Sequence, residues 1–194
     1  MTILTGDEIK KLNIVQPCLE ETRINKFGKP GLSFGCGSMG YDIRLSSEIL
    51  EEINAFDSFE NIGEINCKTI KEKFERLNYF NDSSGEYFLM RPNSTCLGIS
   101  VEEFNIPDNV MGVCYGKSTY ARSGIGVNVT PLEPGWRGRL VIEIINHTGS
   151  FNRVYANEGI AQILFFKSDK MPSKNYRTKN GKYQNQQQLT YSKV

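Results

Sequence analysis

Gly116-Lys117-Ser118-Thr119-Tyr120-Ala121-Arg122 and, beyond a glycine-rich stretch, Leu140-Val141-Ile142-Glu143-Ile144-Ile145 decide how this 194-residue chain is read. The later segment is an apolar run of strand length interrupted by one carboxylate. Such a carboxylate costs free energy when buried unless it has a task. The earlier segment is a turn offering backbone N–H groups, hydroxyls, a lysine and an arginine, a set suited to a polyphosphate. Together they suggest nucleotide chemistry.

Working outward from these segments, the signal stays β. Tyr41-Asp-Ile-Arg-Leu45 alternates, and Tyr87 to Met90, Cys96 to Val101, Val110 to Tyr115, Ile125 to Val129 and Ala161 to Phe166 are short runs bounded by Gly, Pro, Asn or Ser. Thr5-Gly-Asp-Glu8 has capping-box spacing and predicts a short helix. Ile70, Phe74 and Leu77, at helical spacing among Lys and Glu, predict a second. Many short strands with two minor helices imply a mainly β, sandwich or jelly-roll core. No low-complexity linker divides the chain, so residues 1–194 are expected to form one domain.

A formal net charge of +1 gives no overall attraction to DNA, RNA or a membrane surface, so a polymeric nucleic-acid partner is not expected. With no basic leader and no apolar run of membrane-spanning length, the expected location is the cytoplasm. The five cysteines are widely spaced without a C-x-x-C pair, which indicates neither a disulfide framework nor a cysteine-rich zinc site. The basic excess is local: residues 167–194 carry seven Lys or Arg against Asp169 alone, with glutamines interleaved. Such a tail reads either as a solvated appendage or as a lid that orders over an anionic ligand.

Two glycine motifs mislead. Gly35-Cys-Gly-Ser-Met-Gly40 matches G-x-G-x-x-G, but Lys29-Pro30-Gly31 precedes it and an alternating strand follows, which is not the strand–turn–helix that a dinucleotide site requires. Gly116-Lys117-Ser118 ends like a Walker A loop, yet Met111 stands where the first glycine belongs. His147 is the only histidine, and no H-x-E with a later P-C-x-x-C exists. The zinc-water mechanism of ordinary nucleobase deaminases therefore cannot be assembled, and Ser-His-Asp and Cys-His hydrolases are disfavoured too. Glu143 remains as the acid–base candidate. The bland alternative is a strand carboxylate facing solvent or paired with an arginine.

The same central block, with Gly126-Val-Asn-Val-Thr-Pro-Leu-Glu-Pro-Gly-Trp136, Tyr155 to Phe166, Gly40-Tyr-Asp-Ile-Arg-Leu45, Arg91-Pro-Asn-Ser94 and Gly181-Lys-Tyr-Gln-Asn-Gln186, resembles the dCTP deaminases of the dUTPase-like superfamily. The resemblance implies a mainly β, distorted jelly-roll or β-clip fold with short peripheral helices, assembled as a homotrimer with sites between subunits. It implies zinc-independent hydrolysis of dCTP to dUTP and ammonia, supplying dUTP for dUMP and dTTP synthesis, with Mg²⁺ bridging the triphosphate oxygens. Ser118, Arg122 and Glu143 would hold a water near cytosine C4, with Glu143 moving protons. Lys117, Ser118, Thr119, Tyr120, Ala121 and Arg122 would hold the phosphates, while the Val141 and Ile142 backbone reads the base edge. Gln162, Tyr176, Lys182 and Gln186 would complete the clamp, residues 167–194 forming the closing tail. dTTP is the expected inhibitor.

Rival readings are a bifunctional deaminase–dUTPase releasing dUMP and pyrophosphate, a plain dUTPase, and a noncatalytic trimer that senses dTTP or dUTP. Glu133 stands where many relatives have Asp, which weakens the dUTPase readings. Residues from about Ala55 to Asp82 have no counterpart that aligns.

Overall fold

A computed structural model describes residues 1–53, 56–58, 61–62, 66–68 and 74–193. Strand β1 (Thr2–Ile3) leads into helix α1 (Gly6–Lys11), then β2 (Val15–Gln16), β3 (Thr22–Ile24), β4 (Pro30–Cys36) and the long β5 (Tyr41–Ile53). The next group is peripheral: β6 (Phe56–Ser58), β7 (Asn61–Ile62), β8 (Phe74–Arg76) and β9 (Tyr79–Asp82). After β10 (Gly85–Met90) come β11 (Thr95–Asn105), β12 (Val110–Gly116), helix α2 (Ser118–Arg122), β13 (Ile125–Asn128), β14 (Arg137–Asn146), β15 (Asn152–Tyr155) and β16 (Gly159–Lys167).

The main sheet runs in the order β1, β16, β5, β11, β14, β13, with β12 also laid against β16. Every ladder between these strands is antiparallel. The sheet curls around Tyr41, Ile43, Leu45, Ile99, Phe104, Ile142, Ile144, Ile163 and Phe165, all essentially without solvent access. The mainly β, jelly-roll expectation is met, and each predicted strand is present, usually extended by a few residues.

Side-chain parity positions the site. Along β14, Leu140, Ile142 and Ile144 point into the core, so Val141 and Glu143 point to the other face. A slip of one residue would exchange the two sets.

The capping box at α1 forms as the spacing predicts. The Glu8 N–H donates to Thr5 Oγ1, and the Thr5 N–H donates to Glu8 Oε2 at 2.9 Å. The second predicted helix does not form where Phe74 stands: Phe74–Arg76 is β8, paired with Glu51, Glu52 and Ile53 of β5. Ile70 lies outside the described residues. β5 continues to Ile53 and offers a free edge, and ladder bonds to it outweigh a helical period carried by three residues. Conversely, the turn read at Gly116 to Arg122 closes into the five-residue helix α2.

Candidate active site

Glu143 lies mid-ladder, opposite Leu97 of β11 on one side and Asn128 of β13 on the other. Its side chain is half-buried, and Oε2 has no hydrogen-bond partner. Burial pushes its carboxyl above the ordinary value of 4.5, offset only in part by a backbone hydrogen bond. Among the described residues no cation contributes to this shift.

Glu143 lines a cavity of about 390 Å³ together with Leu97, Thr130, Leu132, Trp136 and Val141. That volume suits a small-molecule site, and its walls are mainly apolar with a few polar groups, the usual composition of such sites. Trp136 serves two places at once. Its ring is 6% exposed in the core and also lines the cavity.

The C-terminal tail closes the cavity from the other side. Tyr176, Tyr183, Gln186 and Tyr191 line it beside Glu143. The tail is held largely through backbone groups. Trp136 Nε1 donates to Tyr183 O at 2.9 Å, the Asn185 N–H to Arg137 O at 2.8 Å and the Arg139 N–H to Gln186 O at 2.7 Å. Gln186 Nε2 donates in turn to Arg139 O at 2.8 Å, and Tyr176 OH accepts from the Tyr183 N–H at 3.0 Å. At the far end the Tyr191 ring packs on Phe74 with centroids 5.1 Å apart, and its hydroxyl meets Glu51. The tail is thus laid along the sheet by these contacts.

The sequence-selected residues divide into three groups. Val141, Glu143, Tyr176 and Gln186 converge on the cavity. Ser118, Thr119, Ala121 and Arg122 are exposed on α2, with Arg122 Nη1 donating to Ser118 Oγ at 3.2 Å, and none of them lines the cavity. The remainder are engaged elsewhere. Ile142 is in the core, and Tyr120 is buried with its hydroxyl accepting from the Tyr155 N–H at 2.8 Å. Lys182 Nζ donates to Lys193 O at 3.0 Å, and Gln162 sits on β16 between Tyr115 and Asp42. Lys117 extends its ammonium to Asp42 Oδ2 at 2.5 Å and Ser33 Oγ at 2.9 Å, away from the exposed face of α2.

Leu97, Thr130, Tyr183 and Tyr191 also line the site without having been singled out. Leu97 was detectable through its parity with Glu143 once strand pairing is known. The two tyrosines stood out as large rings in an otherwise polar tail. Among the described residues, no group of three His, Cys, Asp or Glu side chains is placed to hold a metal ion.

The curled, mainly antiparallel sheet is the fold that the resemblance to the dUTPase-like class implies. The chain belongs to the dCTP deaminase-like family, whose model matches residues 3–168. The dCTP deaminase of Campylobacter concisus is 41% identical over 194 residues, covering 100% of this chain and 99% of that protein. The dCTP deaminase of Nitrosomonas europaea is 42% identical over 182 residues, 94% of this chain and 92% of the relative. That of Laribacter hongkongensis is 46% identical over 165 residues, 84% and 81% of the two chains. Among solved structures, the 2'-deoxycytidine 5'-triphosphate deaminase of Agrobacterium tumefaciens aligns with a TM-score of 0.57 at 15% identity. The match covers 86% of this chain and 48% of that one, so this chain spans about half its length and the likeness is one of fold.

Proposed function

We propose that the protein hydrolyses dCTP to dUTP and ammonia, with Glu143 as the proton carrier. The observation that carries this reading is Glu143, a cavity-lining carboxylate with a buried, unpartnered Oε2, in a chain whose near full-length relatives bear the name dCTP deaminase. Burial raises the proton affinity of this carboxyl, which makes it a stronger base for taking a proton from water and a group able to return it. Ionised Glu143 takes a proton from water as the water oxygen bonds to C4, and the C4=N3 π electrons move to N3, which receives that proton. Glu143 then moves the second water proton to the exocyclic nitrogen. The C4–N bond breaks, ammonia leaves and the C4 carbonyl forms, so no external redox partner is needed. The single His147 and the absence of paired cysteines leave nothing in the sequence to build the usual deaminase zinc site.

The site has two halves. Ser118 and Arg122 lie outside the Glu143 cavity of their own chain, and we assign them to the cavity of another copy in a homotrimer, where Arg122 faces phosphate and Ser118 the attacking water. Tyr176, Lys182 and Gln186 of the tail close over the triphosphate. Mg²⁺ would accompany the triphosphate and would neutralise part of its charge. dTTP presents the same sugar and phosphates and competes for this pocket.

Mixing supplies the test. Glu143→Gln and Arg122→Ala should each be inactive alone, and co-refolded mixtures should recover part of the wild-type ammonia release because some sites then pair an intact Glu143 with an intact Arg122. A mixture as dead as its components would place both residues in one chain's site. Chromatography of the nucleotide products separates the bifunctional rival, which accumulates dUMP rather than dUTP.

A further inference from the structure

The motif Gly40-Tyr-Asp-Ile-Arg-Leu45 has so far had no part in the chemistry, and neither has Ser33. We infer that Asp42, assisted by Ser33, is a positioning residue that holds Lys117 as an internal counterion and so sets the segment carrying Ser118 and Arg122. The inference rests on the deaminase reading of that segment.

Asp42 lies in the middle of the sheet, paired across to Gln162 of β16 and to Gly35 of β4, with Tyr41 and Ile43 buried on either side. Its Oδ2 meets Lys117 Nζ at 2.5 Å and accepts from Ser33 Oγ at 3.3 Å, while Oδ1 is buried with no partner. Both charged side chains are nearly enclosed, 13% exposed for Lys117 and 11% for Asp42. A carboxylate placed in that way is tolerable only beside a cation, and here one lysine supplies it.

The lysine stem reaches the carboxylate through a gap that has a cause in the sequence. A Cβ at Gly159 would stand 2.6 Å from Lys117 Cε and 1.8 Å from Ser33 O, so any side chain there would block the path. Lys117 is also the residue immediately before α2: its N–H donates to Ile160 O at 3.2 Å, and its carbonyl accepts from the Ala121 N–H at 3.1 Å. The start of α2 has no side-chain cap. The ammonium–carboxylate contact is thus the anchor that ties this end of the helix to the sheet, and Ser118 and Arg122 follow within one turn and a half. Holding reacting groups to a fraction of an ångström is worth large factors, which gives the anchor its functional weight.

The alternative role for Lys117, a direct phosphate ligand, makes the opposite prediction about Asp42. If Asp42 merely competes with phosphate for the ammonium, neutralising it frees Lys117 and tightens nucleotide binding. If Asp42 positions the segment, neutralising it loosens the segment and weakens binding. Calorimetric titration with dCTP in a Glu143→Gln background, where substrate is not consumed, reads the sign directly. Asp42→Asn should weaken dCTP about tenfold, speed hydrogen exchange at the amides of residues 118–122 while exchange in β11 and β14 stays slow, and be restored in part by Asp42→Glu. Binding as tight as or tighter than the parent overturns the inference. Should Asp42→Asn fail to fold, Ser33→Ala reads the same sign through a milder loss: weaker binding supports positioning, and unchanged or tighter binding overturns it. Ammonia release by the protein with Glu143 intact is measured separately. Its absence would defeat the deaminase reading while leaving the outcome of the binding test in force.

Discussion

Glu102 and Glu143 are both strand carboxylates removed from water, one on β11 and one on the neighbouring β14, and the protein treats them in opposite ways. Glu102 sits where β11 carries extra residues relative to β14, between Ile99 and Glu103. It is wholly enclosed, yet Arg44 Nε donates to its Oε1 at 2.7 Å and the Arg44 N–H to its Oε2 at 2.9 Å. Glu143 sits in regular ladder, is less buried, and has one oxygen with no partner at all. Burial raises the carboxyl in both, but only at Glu102 does a cation oppose it. The carboxylate at Glu102 has its charge matched by Arg44, whereas Glu143, the proposed proton carrier, has no such cation beside it among the described residues.

The sharpest way to break this comparison is Glu143→Gln. It should lower ammonia release by about 10²–10⁴-fold, the usual worth of a positioned acid–base group, while leaving the melting temperature near or above that of the parent. Retention of more than roughly a tenth of the turnover, about 1.4 kcal/mol of barrier, removes Glu143 from the proton path. The converse change, Glu102→Gln, should leave chemistry per folded molecule largely intact and cost about 3–5 kcal/mol of stability, because Arg44 keeps its charge without its partner. Denaturant titration checks it, and a loss below about 1 kcal/mol would show that the pair is not the anchor its geometry suggests.

Removing residues from Lys174 onward opens the Glu143 side alone. The β core should keep its melting behaviour, and KM for dCTP should rise several-fold or more as Tyr176, Lys182 and Gln186 are lost; unchanged steady-state kinetics would make the tail an ornament.

The smallest effect is on pH. Because the folded carboxyl of Glu143 holds its proton at pH values where the unfolded chain has released it, its burial carries no penalty below about 4.5 and a growing one as pH rises through the raised folded value. Wild-type stability should therefore fall relative to Glu143→Gln over that rise. The acid limb of kcat/KM should lie above the ordinary carboxylate range. A stability difference independent of pH would contradict the desolvation argument.

How much of this was legible beforehand differs by residue. The strands announced themselves through period-two alternation, and Glu143 through being a carboxylate in an apolar run, both local signals. The contacts of Lys117 were not legible, because Asp42 and Ser33 reach it from 75 and 84 residues away in sequence. Nor was the strand at Phe74–Arg76, whose partner edge on β5 exists only once the sheet is assembled. The Glu102–Arg44 pair spans 58 residues and was hidden for the same reason. Composition and period report what a residue wants from its neighbours in the chain; ion pairs report which distant strands become adjacent.

Gly138 has a consequence of a different kind. Its φ of +145° and the absence of a side chain let the tail lie directly on the backbone of β14: a Cβ there would stand 2.6 Å from Gln186 O and 2.8 Å from Gln186 N. The tail thus docks through main-chain atoms on a main-chain surface, much as an added strand would, held by the bonds at Arg137 and Arg139. A single methyl group at residue 138 would therefore push the Gln186 backbone off the sheet, although that position carries no side chain of its own.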